Sequence, residues 1–143
     1  MILQLALAFI STFAFAVLFS APKTQYVFCG LCGAFTWGMY LLFQNFGYTT
    51  VISALFATFF LTLLARILSI VKKNPVTIYL ITGIFPLVPG AGIYYTSYYL
   101  IMNEGTRSLS MGLETFKTAG AIALGIIFGF AVPFSSKKKD SKS

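Results

Sequence analysis

The sequence predicts an all-α integral membrane protein: a bundle of five transmembrane helices, the fourth broken at a P-x-x-P-G motif. Three observations lead there. Apolar residues fill 58% of the 143 positions and charged residues only 9%, with a mean hydropathy of +0.88. Soluble domains carry about 25% charged residues, so this chain cannot clothe a water-facing surface. Apolar stretches of about 18 to 27 residues follow one another, and a bilayer crossing takes about 20 residues. Within the fourth stretch lies Phe85-Pro86-Leu87-Val88-Pro89-Gly90-Ala91-Gly92, which a continuous helix does not accommodate. No polar stretch is long enough to fold alone. A single transmembrane domain, 1–135, with a basic tail at 136–143 is therefore expected.

The first stretch, 2–20, has no charge. It lacks the basic leader of a signal peptide, and a cut after Ala21 would leave Pro22 first, so it reads as a retained helix. Ala21-Pro22-Lys23 reads as a turn. In the second stretch, 25–45, Gly30, Ala34 and Gly38 recur every four residues on one face, the spacing that lets helices pack closely in lipid. The third, 50–71, carries Arg66 near its end and stops at Lys72-Lys73-Asn74-Pro75. The fourth is 76–102. A polar connection at 103–115 follows, with Glu104, Arg107 and Glu114, of which Glu104 and Glu114 read as solvated residues flanking an external loop. The fifth, 116–133, repeats the small-residue stripe as Ala121, Gly125 and Gly129.

An odd number of crossings puts the termini on opposite sides. Lys23, Lys72, Lys73, Lys137, Lys138, Lys139 and Lys142 share one side; the other has Arg107 and Lys117. The positive-inside rule places the tail in the cytoplasm and Met1 outside. The same distribution explains the net charge of +7 as a topology signal, and it supplies no basic face for nucleic acid.

Cys29-Gly30-Leu31-Cys32 is a C-x-x-C, but no histidine or second pair completes a zinc site. Both cysteines read as small buried apolar residues. No nucleophile–base pair, phosphate loop or H-E-x-x-H occurs, so neither enzymatic activity nor a cofactor is expected. With no Asp or Glu assigned to a span, a carboxylate proton relay within this chain is not expected either.

The broken stretch carries the functional expectation. Pro86 and Pro89 remove backbone donors, and Gly90 and Gly92 permit backbone angles closed to other residues. Two half-helices, 76–85 and 91–102, are predicted. Irregular backbone at membrane depth persists only inside protein or beside water. The second half-helix would point its free amides and positive dipole end at mid-membrane, where a carboxylate fits. Pro86, Pro89, Gly90 and Gly92 are thus candidate solute-binding positions. Tyr94 is nearest the break among the ridges Tyr94/Tyr98 and Tyr95/Tyr99, and joins them as a candidate; Tyr98 and Tyr99 read as an interfacial belt. Arg66 either snorkels to the cytoplasmic face or attracts an anionic solute. Trp37, Gln44 and Asn45 read as interface residues.

Asn74-Pro75-Val76, Phe85-Pro86-Leu87-Val88-Pro89-Gly90 and Tyr94, ahead of a polar connection and a Gly/Ala-rich last span, resemble the threonine/serine exporter family. More narrowly, they look like the short separate membrane subunit of that family, equivalent to the C-terminal half of the fused exporters. The resemblance implies an export subunit of the bacterial plasma membrane, with Pro86, Pro89 and Gly90 as the positions carried over. It implies a larger membrane subunit of the same family as partner. Its solutes would be small carboxylates, either threonine and serine or a dicarboxylate such as succinate. A lone five-span unit cannot build both sides of an alternating-access site, so a partner or a second copy follows from the residues as well. The competing expectation is a non-transporting scaffold that stabilises a partner membrane protein.

Overall fold

The computed structural model describes residues 1–133, and they are helical almost throughout. The predicted basic tail at 136–143 lies outside the described residues. Six α-helices follow in order: α1 Ile2–Leu18, α2 Tyr26–Asn45, α3 Thr50–Lys72, α4 Val76–Ile84, α5 Gly90–Ile101 and α6 Gly105–Ala131. Short 3-10 turns at Lys23–Gln25 and Phe85–Leu87 lead into α2 and out of α4.

The helices stop by a shared device. Ser20, Lys73 and Asn103 take left-handed backbone at φ 56°, 56° and 59°, and Gly47 does so at 90°. After α1 and α5 this turn lets the next amide reach back, Ala21 to the Ala16 carbonyl at 3.0 Å and Glu104 to Tyr99 at 2.9 Å. Pro22 and Pro75 then prevent the helix from resuming. At the start of α3, Thr49 accepts the Ile52 amide as an N-cap.

Contacts fix the helix directions. Cys29 meets Ile78 and Cys32 meets Gly83, so α2 and α4 run the same way. Gly125 meets Leu55 and Thr58, and Gly129 meets Thr62, so α3 and α6 do too. Residues 73–104 must therefore return from the end of α3 to the end at which α3 began. They do so through α4 and α5, bent by 47° at the break.

The core between α1, α2, α3 and α4 sets the small side chains Ala16, Cys29, Cys32 and Ala65 around Leu61 and Tyr79, all fully buried. Tyr79 donates its hydroxyl to Gln25 at 2.5 Å, a buried polar tie between α4 and the start of α2. Both cysteines are free and buried, as expected. Large apolar side chains face outward instead: Ile2 is 85% exposed, Ile101 78% and Phe116 78%. That inversion of a soluble protein's pattern is what lipid requires. α5 contributes no buried residue.

Among the described residues three helices are long and apolar enough to cross a membrane, or up to four crossings if the bent pair counts as one. The expected first crossing is shorter than predicted. α1 has 17 residues, and at 1.5 Å each it spans about 25 Å of a core about 30 Å thick. The polar connection expected at 103–115 is a correction. Only 102–104 turn, and α6 begins at Gly105 rather than near residue 116. Polar side chains between Gly105 and Thr118 do not interrupt a helix, because the stretch contains no proline and its apolar residues still recur on one side.

Candidate functional site: a hollow at the broken helix

α4 ends at Ile84, and Phe85–Leu87 tighten into a 3-10 turn with Pro86 inside it. Val88 then opens to an extended backbone, φ −56° and ψ 124°. Pro89, at φ −76° and ψ 56°, is the centre of an inverse γ-turn closed by a 2.7 Å bond from the Gly90 amide to the Val88 carbonyl. Ile93 donates to the Pro89 carbonyl at 3.1 Å and begins the α5 ladder. The Ala91 and Gly92 amides have no acceptor among the described residues. These are the free donors expected of a half-helix start.

The glycines serve a different purpose from the one expected. Neither Gly90 nor Gly92 has a positive φ. A methyl group at Gly92 would collide with the Thr115 hydroxyl of α6, so Gly92 permits close approach of α5 to α6. Beside Gly90 there is open space, with nothing within 4 Å of an added Cβ.

Two of the larger hollows flank the break. One, of about 550 Å³, lies against α4, α5 and α6 and is mostly apolar, with Ile84, Ile93, Phe116 and Ile122 on its walls. The other, of about 400 Å³, is bounded by 86–92, by Trp37 and Tyr40 of α2, by Thr50 of α3 and by Glu114, Thr115 and Thr118 of α6. Small-molecule sites occupy about 300–1,000 Å³ and combine apolar walls with a few placed polar groups. Both hollows have that size, and the first carries Thr96, Ser97 and Thr115, but the second has the more polar wall and the one charged side chain, Glu114. Trp37 and Tyr40 stack with ring centroids 5.1 Å apart. Tyr40 accepts from the Gln44 amide at 2.8 Å, which leaves its own hydroxyl proton to donate. The Thr115 and Thr118 hydroxyls donate to the Met111 and Glu114 carbonyls at 2.7 and 3.0 Å and keep lone pairs for a guest.

Pro86, Pro89, Gly90 and Gly92 all border this hollow. Tyr94 does not. It is 63% exposed and its ring stacks beside Tyr98, with centroids 6.3 Å apart, on the outer side of α5. Arg66 lies toward the opposite end of α3 from Thr50. Its Nη1 donates to the Gly129 carbonyl at 2.7 Å and to Val132 at 2.6 Å, so it closes the C-terminal end of α6. Among the small-residue positions, Gly30 faces Phe9 and Gly38 faces Leu5, Ala34 is partly buried, and Ala121, Gly125 and Gly129 are buried.

Glu114, Trp37, Tyr40, Thr50, Thr115 and Thr118 were not anticipated as site residues. Extending the last helix back to Gly105 would have found three of them, since Met111, Thr115 and Thr118 recur at helical spacing around Glu114.

From residue 4 to residue 132 the sequence matches the profile of the family described as Threonine/Serine exporter, ThrE. The chain belongs to the threonine/serine exporter family. No curated protein and no solved structure matches it. Family membership and the apolar helices together make it a multi-pass membrane protein of a transporter family, as the resemblance of the P-x-x-P-G region implied. The hollow at the break is therefore the candidate path of a solute in an exporter of this family.

Proposed function

We propose that the chain is one subunit of a bacterial plasma-membrane exporter for small carboxylate-bearing metabolites. The observation carrying this reading is the polar hollow bordered by the interrupted fourth crossing, with the unsatisfied amides of Ala91 and Gly92 at its edge. Such an amide end favours a carboxylate. In this reading the chain crosses the membrane five times. α1 is the shortest crossing and α4 with α5 form the fourth; the parallel run of α3 and α6 supports a single return between them. Met1 faces outward and the C-terminus faces the cytoplasm. The chain acts with a larger membrane subunit of the same family or with a second copy of itself, because one unit lines only part of a two-sided path. Its solutes are threonine and serine or a dicarboxylate such as succinate.

Thiol scanning tests this reading. Single cysteines placed at Val88, Ala91 and Ile93 are labelled with a water-soluble maleimide after Cys29 and Cys32 are replaced. Labelling at Ala91 that threonine, serine or succinate blocks is the expected result. Uniform inaccessibility from either face supports the alternative of a non-transporting scaffold for a partner membrane protein.

A further inference from the structure

The polar hollow carries a charge that its solute must match. Of the residues bordering it, Glu114 alone has a carboxylate, and none has a cationic side chain. Its carboxylate has no ion pair or hydrogen bond among the described residues. The neighbouring charges are otherwise engaged or elsewhere: Arg107 pairs with Glu104 at 3.0 Å, and Lys117 is not on the wall of the hollow. The stacked rings of Trp37 and Tyr40 contribute aromatic faces to the same space. Glu114 is exposed at the mouth of this space, and an unpaired carboxylate bordering the same hollow as aromatic faces is a combination that attracts ammonium and repels a second carboxylate.

We propose that Glu114 is the specificity-determining residue of the hollow and selects solutes bearing an ammonium group, so that amino acids are accepted and dicarboxylates rejected. The inference rests on the reading of the hollow as the solute path. A zwitterion satisfies both ends of the space. Its ammonium meets Glu114 and the rings, and its carboxylate meets the Ala91 and Gly92 amides across the same void. A dicarboxylate places its second negative charge against Glu114, with no cation on the wall to offset it. Wall polarity alone does not discriminate in this way, because the threonine hydroxyls accommodate either solute.

The test is equilibrium binding to the purified protein in lipid nanodiscs, together with its partner subunit where one copurifies. The probes are L-threonine, N-acetyl-L-threonine, which lacks the ammonium, and succinate. Wild type is expected to bind threonine at least about tenfold more tightly than either other probe. Glu114→Gln is expected to abolish that preference, and Glu114→Asp to retain most of it. Succinate or N-acetyl-L-threonine binding wild type as well as threonine does overturns the inference, as does an unchanged preference in Glu114→Gln. Gly90→Trp, a bulky side chain on the wall of the hollow where nothing stands within 4 Å of an added Cβ, separates this failure from that of the underlying reading. Binding lost in Gly90→Trp but indifferent to Glu114→Gln overturns only the role of Glu114. Binding unaffected by Gly90→Trp, or absent from wild type for every probe, overturns the hollow as a path and the inference with it.

Discussion

Gly90 and Gly92 stand two residues apart in one motif and do different work. Gly92 leaves room for Thr115, whereas Gly90 faces open space with ordinary helical backbone. Gly90→Ala should therefore be neutral or raise stability by about 0.5 kcal/mol, the helix-propensity gain over glycine. Gly92→Ala should lower it by about 1–3 kcal/mol by forcing α5 off α6. Thermal midpoints of the two purified variants, measured side by side, check the contrast, and equal midpoints would refute it. Arg66 supports a second expectation at this scale. Its guanidinium donates to the Gly129, Phe130 and Val132 carbonyls at the end of α6 and lies 5.8 Å from the Phe130 ring. Hydrogen bonds from a charged donor contribute about 1.5–3 kcal/mol, so Arg66→Ala should destabilise by about 2 kcal/mol. Arg66→Lys should recover part of that, because these bonds all leave one nitrogen and an ammonium also carries its donors on one nitrogen. Preserved solute selectivity in the folded Arg66→Ala protein is the companion outcome, since Arg66 is remote from the hollow.

Between helices, glycine meets threonine repeatedly. An added methyl group at Gly33 would strike Thr12, at Gly92 Thr115, at Gly112 Thr96, at Gly125 Thr58 and at Gly129 Thr62. Each of those threonines donates its hydroxyl to a carbonyl one turn back in its own helix. The hydroxyl is thereby satisfied, and the threonine becomes a compact knob for a glycine hole. Gly125 is the tightest case against backbone, since its added Cβ would sit 2.6 Å from the Leu55 carbonyl oxygen. Gly125→Leu should cost about 3 kcal/mol or more and part α6 from α3. A cysteine pair across the two helices should then lose its cross-link. The stripes at Gly30, Ala34 and Gly38 and at Ala121, Gly125 and Gly129 were legible as four-residue spacing, but their threonine partners were not, because glycine spacing says nothing about what fills the hole. Gly33 was missed for the same reason, lying off the chosen stripe while facing Thr12. The break at Pro86 and Pro89 was legible to within one residue, because proline acts through its own backbone. Glu114 was misread because polarity was taken for loop. A helix that borders a polar hollow must itself carry polar residues, and hydropathy alone does not separate the two cases.

Across the whole molecule, the helix directions make orientation a measurable quantity. α6 has 27 residues and extends about 40 Å, longer than the hydrocarbon core is thick. Its second half lies along α3 and its first half along α5, as the pairs Gly125–Thr58 and Gly112–Thr96 record. The paired arms α5 and 105–117 thus project past the start of α3 at the end opposite Arg66, and α5 buries nothing there. Lys23, Lys72 and Lys73 mark the Arg66 end, while Arg107, Glu104 and Lys117 mark the arm. In the proposed orientation the cationic end lies in the cytoplasm, as the positive-inside rule directs, with the arm and Met1 outside. Labelling intact cells with an impermeant maleimide should therefore modify a cysteine at Asn103 and spare one at Asn74 until the cells are opened. The reverse pattern would invert the protein and turn the hollow, which lies nearer the arm than Arg66 does, toward the cytoplasm. Equal labelling at both sites in intact cells would mean that residues 73–104 do not cross, making the 47° bend a re-entrant loop rather than a broken span. The parallel course of α3 and α6 argues against that outcome, because both helices then need a return that no other described segment supplies.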